Sequence, residues 1–128
     1  MAKVLGLGGI FFKSPDPQAL ADWYSKWLGL EFPFPHGVIF TANTQPATGY
    51  QVWSPFKADT DYFAPSEQSF MFNLMVDDLD AMLAQIKESG CQVMDNSERS
   101  EYGDFGWFID PDGNKVELWQ PPAKAPPQ

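Results

Sequence analysis

The chain has 128 residues, of which 44% are hydrophobic, and its 17 acidic and 8 basic side chains give a net charge of −9. This length accommodates one ordinary domain or two small modules that share a core, and the acidic balance argues against nucleic acid and anionic membranes as partners. A single cysteine, Cys91, excludes an internal disulfide and any metal site built from several cysteines. With no long apolar stretch and no signal-peptide pattern, the sequence predicts a cytoplasmic protein.

The chain begins with a strand-like segment followed by an amphipathic helix. Residues 4–12 are apolar and rich in glycine, which predicts a buried strand. Asp16 is a typical N-cap, and Pro17 suits the first helical position because its missing N–H is not needed there. Apolar residues then recur at helical spacing up to Gly29, a typical C-terminal residue. We therefore predict a helix between Asp16 and Gly29.

The next segments are short and broken by proline and glycine. They predict three strands, at about residues 30–34, 38–42 and 49–54. Residues 56–68 form an irregular linker with no helical or strand periodicity. The first module therefore covers about residues 1–55.

The second half repeats the order of the first. A strand is predicted at residues 70–76, then a helix capped by Asp77 or Asp78 and stopped by Gly90. Strands follow at 91–94, 105–109 and 115–119, with a tight turn at residues 110–114. The second module covers about residues 69–121. We predict one α+β domain over residues 1–122, made of two strand–helix–three-strand modules, with a flexible tail at 123–128.

This doubled unit resembles the vicinal oxygen chelate superfamily, which includes glyoxalase I, bleomycin-resistance proteins and extradiol dioxygenases. The resemblance covers almost the whole chain. Its matching residues are Asp16, Trp23-Tyr24, Leu28-Gly29-Leu30, residues 76–80, Gly90 and residues 110–118. The resemblance implies that the two modules form a cup-shaped, half-barrel mixed sheet with helices outside. It also implies a homodimer, with a small-molecule ligand in the cup.

The resemblance also implies a divalent metal held by the first and last strand of each module. The implied ligand positions fall on Gly9, Gln51, Met71 and Glu117. Glycine offers no donor, and a thioether is a poor ligand for hard or borderline divalent ions. We therefore expect no tightly bound metal and no cofactor. The alternative is a weakly bound divalent metal at Gln51 and Glu117.

Alternation along strands extends these four positions to a predicted lining. Each position shares its strand face with a second residue two positions away. The pairs are Gly9 with Phe11, Gln51 with Trp53, Met71 with Asn73, and Glu117 with Trp119. If they face the cup, the lining is aromatic with few polar groups, which suits a flat organic molecule. The alternative is that Trp53 and Trp119 only fill the core.

Loop residues complete the predicted site. Tyr102 and the linker residues Asp61 and Tyr62 are candidates for the mouth of the cup, and ordinary loop packing is the alternative for each. Glu117 is the predicted catalytic residue, because a carboxylate in an aromatic cleft loses solvation and often serves as an acid or base. The predicted ligand-binding residues are Phe11, Gln51, Trp53, Met71, Asn73, Tyr102 and Trp119.

Three functions remain open at this point. The first is a metal-free protein of the bleomycin-resistance type that binds a flat aromatic or cationic ligand. The second is a glyoxalase-type lyase or isomerase, or a dioxygenase-related enzyme, with Glu117 as base or partial metal ligand. In the second, Gln51 and Asn73 would hydrogen-bond the developing enolate. The third is a non-catalytic module whose pocket serves only as packing.

Overall fold

The computed structural model describes residues 1–124. Its α-helices are α1 (Pro17–Leu28) and α2 (Leu79–Glu88), and a short 3-10 helix spans Ala42–Thr44. Its strands are β1 (Phe72–Met75), β2 (Glu98–Ser100), β3 (Gly103–Ile109) and β4 (Lys115–Gln120). The predicted α+β class is therefore confirmed.

Both helices begin and end through the local interactions that the sequence predicts. The carboxylate of Asp16 accepts a hydrogen bond from the backbone N–H of Ala19 at 3.1 Å, and that of Asp78 accepts one from Ala81 at 3.1 Å. Each bond satisfies a backbone donor that the first helical turn leaves free. Gly29 follows α1 with a φ of 73°, which glycine adopts without steric cost.

The four strands form one open mixed sheet in the order β1-β4-β3-β2. β4 runs parallel to β1 and antiparallel to β3, which pairs with β2. Alternation gives this sheet two distinct faces. One face packs under both helices through buried side chains that include Phe72, Phe108, Val116 and Leu118. The opposite face, here called the cup face, carries Asn73, Met75, Phe105, Trp107, Lys115, Glu117 and Trp119.

The predicted turn at residues 110–114 is present and is tied to α1. The Asp110 carboxylate accepts backbone N–H groups of Asp112 and Asn114 through Oδ1, at 3.0 and 2.9 Å. Its other oxygen accepts the Tyr24 hydroxyl at 2.8 Å and the Asn114 side-chain amide at 3.0 Å. Burial, and then the charge of Asp110, raise the pKa of Tyr24 far above its ordinary value of 10.0. This buried network fixes the first helix against the β3–β4 hairpin.

The predicted strands of the first module are the main correction. Residues 4–12, 30–34, 38–42 and 49–54 form no strand, and one isolated bridge joins Phe34 and Gly37. Several of their apolar side chains lie in solvent, with Leu5 90%, Phe11 95% and Trp53 80% exposed, whereas Leu30 and Phe32 pack against the core. A strand requires a neighbouring strand to receive its backbone hydrogen bonds. Within residues 1–124 of a single chain, these segments have no such neighbour.

The second module differs from prediction in its short strands. The strand predicted at 70–76 is shortened to β1, and residues 91–94 contribute only an isolated bridge between Val93 and Phe108. β2 was not predicted, because its sequence Glu-Arg-Ser is polar and fully exposed at the edge of the sheet. β3 and β4 lie where alternation predicts them.

The end of the predicted domain, just before the predicted tail at residues 123–128, packs against the first module. Pro121 is buried, and the carbonyl oxygen of Pro122 accepts the Thr48 hydroxyl at 2.6 Å. Residues 125–128 of that predicted tail lie outside the described residues. No helix in the described part of the chain is long and apolar enough to cross a membrane.

Candidate functional site

The centre of the cup face is Glu117, in the middle of β4. Strand register places Glu117 directly beside Asn73 of β1 and Trp107 of β3. Side chains at paired positions in neighbouring strands lie within contact distance of one another. Residues from three separate parts of the sequence therefore meet at one point, and the predicted pair of Glu117 and Asn73 is brought together.

The linker lies over this centre. The Tyr62 hydroxyl donates a hydrogen bond to Oε1 of Glu117 at 3.3 Å, and its ring stands edge-on to Trp107 with centroids 6.3 Å apart. Lys115 donates from Nζ to the backbone carbonyl of Tyr62 at 2.6 Å and lies 5.3 Å from its ring centroid. The rings of Phe56 and Phe63 pack within 5.5 Å and 6.4 Å of the Tyr62 ring. The centre thus has an aromatic cover.

Partial burial changes the acidity of the groups at this centre. Loss of solvation raises the pKa of Glu117, and the nearby charge of Glu98 acts in the same direction, while hydrogen bonds from Asn73 and Tyr62 partly oppose the rise. Burial, and then Glu117, raise the pKa of Tyr62 to about 12. Burial lowers the pKa of Lys115. Glu117 is therefore a partly desolvated carboxylate that accepts a proton more readily than a fully solvated one.

Trp107 adds an unused donor to the same place. Its side chain is 2% exposed, and its Nε1 makes no hydrogen bond of good geometry among residues 1–124, although it lies close enough to the Tyr62 hydroxyl to lower the pKa of that phenol. Buried polar groups in folded proteins are nearly always paired, so an unpaired N–H beside a carboxylate points to a group that is supplied from outside.

The predicted site residues Trp119 and Tyr102 lie together towards one end of the cup face. Trp119 is 4% exposed, and its Nε1 donates to the backbone oxygen of Tyr102 at 2.9 Å. The rings of Tyr50 and Phe105 pack against Trp119 with centroids 4.7 and 6.2 Å away. These contacts agree with the core alternative for Trp119. The Tyr102 side chain itself remains half exposed.

Phe11 and Met71 come together away from Glu117. They line a cleft of about 480 Å³ at the start of β1, with Phe12, Lys13, Gln68 and Phe72 among its other lining residues. The rings of Phe12 and Phe72 lie 4.7 Å apart in this cleft. The structure therefore does not bring the predicted lining residues together in one place.

The implied metal positions do not form a matching donor set. Gly9 and Met71 offer no hard donor. The side-chain oxygen of Gln51 already accepts the backbone N–H of Leu7 at 2.8 Å. Within residues 1–124, no three His, Cys, Asp or Glu side chains are grouped closely enough to hold a metal ion. These residues do not fit a divalent metal, and the expectation of a metal-free protein stays a prediction.

Sequence reasoning missed Trp107, Lys115 and Glu98. Trp107 carries a visible signal, since it lies within the predicted strand at residues 105–109. Its position opposite Glu117 depends on the register between β3 and β4, which a single sequence does not reveal. Tyr62 was predicted at the mouth of the cup, and the structure places it directly on Glu117.

Comparison with known proteins identifies the family. A family model described as a glyoxalase-like domain matches residues 9–119. Among solved structures, the chain is similar to the oxidase ChaP-H2, with 17% identity, 88% of this chain and 90% of that one covered, and a TM-score of 0.50, a likeness that concerns the fold alone. No curated protein matches the chain.

Two further solved structures come from Streptomyces sp. CB03234. The antibiotic binding protein TnmS3 shares 29% identity over 84% of this chain and 88% of that one, with a TM-score of 0.47. A glyoxalase/bleomycin resistance protein shares 39% identity, but the match covers only 38% of this chain and 42% of that one, with a TM-score of 0.34. Because the family match extends over most of the sequence, the chain belongs to the glyoxalase-like domain family of the vicinal oxygen chelate superfamily.

Proposed function

We propose that this protein binds a small, flat organic ligand on its cup face without a tightly bound metal, and that Glu117 is the polar anchor. The observation that carries the proposal is a weakly solvated carboxylate set between Asn73 and Trp107 and covered by the aromatic side chain of Tyr62. Aromatic rings supply contact area for a flat ligand, and one well-placed polar group fixes its orientation.

Charge at the centre supports an aromatic or cationic ligand. The carboxylates of Glu117 and Glu98 face one ammonium group, that of Lys115, which is engaged by the Tyr62 carbonyl. A cation held near Glu117 would also lie beside the Trp107 and Tyr62 rings, where cation–π attraction adds to the ion pair. The net charge of −9 favours the approach of cations over that of anions.

The test measures the binding of a flat aromatic cation, N-methylquinolinium, by isothermal titration calorimetry. We expect Glu117→Gln to weaken binding by about tenfold, equivalent to about 1.4 kcal/mol, because the anchoring charge is lost. The control is Glu31→Gln, which changes the net charge equally at an exposed position. Equal affinities of the two variants would contradict the role of Glu117.

A second candidate function rests on the raised pKa of Glu117. A carboxylate with this property is suited to remove a proton next to a carbonyl, and the neighbouring Asn73 amide is placed to hydrogen-bond the enolate that forms. This would be a glyoxalase-type lyase or isomerase, or a dioxygenase-related enzyme. Exchange of the α-proton of a hydroxyketone in heavy water tests it. Exchange above the buffer rate that is lost in Glu117→Gln supports catalysis, and exchange at the buffer rate contradicts it.

The exposed segments of the first module support a homodimer as part of this proposal. Leu5, Phe11 and Trp53 lie on residues 4–12 and 49–54, whose strand patterns remain unpaired in one chain. A second copy would supply the missing neighbour for these segments and cover their apolar side chains. The cytoplasmic location stays a prediction from the sequence.

A further inference from the structure

Tyr62 lies where the proposed function would place a ligand. Its hydroxyl contacts Glu117, its ring meets Trp107 edge-on, and Lys115 lies over its ring. A phenol attached to the linker thus makes the three kinds of contact expected of a bound aromatic compound. This inference deepens the proposed function and rests on it.

Tyr62 uses the polar groups beneath it incompletely. An O–H donor usually lies 2.5–2.7 Å from a carboxylate oxygen, whereas the Tyr62 hydroxyl lies 3.3 Å from Glu117 Oε1. The buried Nε1 of Trp107 lies near the Tyr62 hydroxyl but makes no hydrogen bond of good geometry to any acceptor within residues 1–124. A hydroxyl placed closer to both groups could donate to the carboxylate and accept from the indole N–H at the same time. An external ligand could therefore satisfy this pair better than Tyr62 does.

Few hydrogen bonds hold Tyr62 in place. Lys115 donates from Nζ to the backbone carbonyl of Tyr62 at 2.6 Å. The backbone N–H of Tyr62 donates to the Thr60 hydroxyl at 3.2 Å. The linker around it, residues 56–68, contains no helix or strand. Its ring contacts with Phe56 and Phe63 belong to the same linker and can move with it. Releasing Tyr62 from Glu117 therefore breaks no backbone hydrogen bond within the sheet or the helices.

We propose that the Tyr62 side chain is a displaceable plug of the cup, and that the ligand is a planar aromatic compound carrying a ring hydroxyl. On binding, the ligand hydroxyl takes the place of the tyrosine phenol, donating to Glu117 and accepting from Trp107. The plug lowers the apparent affinity, because only the fraction of molecules with Tyr62 displaced can bind.

The test compares 2-naphthol with 2-methoxynaphthalene, which has a similar shape but no hydroxyl donor. The wild-type protein is expected to prefer 2-naphthol. Tyr62→Ala is expected to tighten 2-naphthol binding by about fivefold, since the plug is gone. Tyr62→Phe, which keeps the ring, is expected to give a smaller gain. Trp107→Phe and Glu117→Gln should each reduce the preference for the hydroxyl compound. Binding of 2-naphthol should also shift the indole N–H resonance of Trp107.

The outcomes separate this inference from the proposed function. If Tyr62→Ala leaves 2-naphthol binding unchanged or weakens it, Tyr62 is a wall of the site and the plug is refuted. If N-methylquinolinium binds through Glu117 but 2-naphthol is not preferred over its methyl ether, the hydroxyaryl ligand class is refuted while the proposed function stands. If neither probe binds the wild type or Tyr62→Ala, the proposed function itself fails.

Discussion

At the scale of single residues, ionised Glu117 lowers the free energy of unfolding because its carboxylate is partly buried. Its pKa in the folded protein is raised above the ordinary value of 4.5, mainly because burial removes water from the carboxylate. Well below pH 4.5 the Glu117 carboxyl group is protonated in both the folded and the unfolded state. Its ionisation then contributes nothing to the free energy of unfolding. As the pH rises through the folded pKa, the unfolded state gains more from ionisation and the free energy of unfolding falls.

We therefore expect Glu117→Gln to stabilise the protein at pH 7 and to have no effect on stability at about pH 3.5. Urea denaturation at the two pH values measures the difference, and Glu31→Gln is the control for the change in net charge. A loss of stability at pH 7 would mean that the hydrogen bonds from Asn73 and Tyr62 outweigh the loss of solvation.

Tyr24 follows the same rule at a higher pH, because its pKa is also raised in the folded protein. Its folded pKa is raised above 10.0 by burial and by Asp110, so its protonated form contributes stability below pH 10 that is lost as the pH rises further. We expect Tyr24→Phe to lower the free energy of unfolding by about 1–3 kcal/mol at pH 7, because Asp110 loses a buried donor.

The same substitution should flatten the fall in stability above pH 10, since the group that titrates there is gone. Tyr102→Phe, at a half-exposed position, is the control. Thermal melting between pH 7 and 11 measures both variants. An equally steep alkaline fall in Tyr24→Phe would show that another group controls it.

At the scale of elements, the β3–β4 hairpin depends on two glycines with different roles. Gly103 and Gly113 both have positive φ angles, of 116° and 84°. A Cβ at Gly103 would overlap the backbone oxygen of Gln120 and lie 2.6 Å from Nε1 of Trp119. A Cβ at Gly113 would meet nothing within 4 Å. Of these two glycines, only Gly103 is needed for the close approach of β3 to β4.

We expect Gly113→Ala to lower the free energy of unfolding by about 1 kcal/mol, because it introduces backbone strain only. Gly103→Ala should lower the free energy of unfolding by about 2–4 kcal/mol, because the new methyl group clashes with β4 in addition to straining the backbone. Chemical denaturation compares the two variants directly. Equal costs would show that the start of β3 moves away from Trp119 without penalty.

At the scale of the whole molecule, the unpaired first module predicts self-association. Leu5 is 90% exposed on a segment with a strand pattern, and a second copy could bury it. We expect the wild type to be dimeric by size-exclusion chromatography with light scattering. Leu5→Asp should weaken the dimer by at least about tenfold, because a charge would be buried at the contact.

The control for this substitution is Ala84→Asp, on the exposed side of α2. It adds the same charge away from residues 4–12 and should leave the dimer intact. A monomeric wild type, or a Leu5→Asp variant that associates as strongly as the wild type, would contradict the dimer.

The sequence by itself determined the elements whose causes are local. The caps of α1 and α2, the turn at residues 110–114 and the alternation of β3 and β4 depend on residues within a few positions of one another. The family resemblance placed Glu117 and Asn73 in one site, and the register of β1 and β4 agrees.

Only the tertiary structure decided how the site is assembled and where pairing stops. Residues 4–12 have a strand pattern but no partner strand, because backbone hydrogen bonds between strands are supplied by distant segments. Likewise Trp107 meets Glu117 through register, and Tyr62 covers it through the course of an irregular linker. Local periodicity fixes which face a side chain takes, but long-range pairing fixes which side chains share that face.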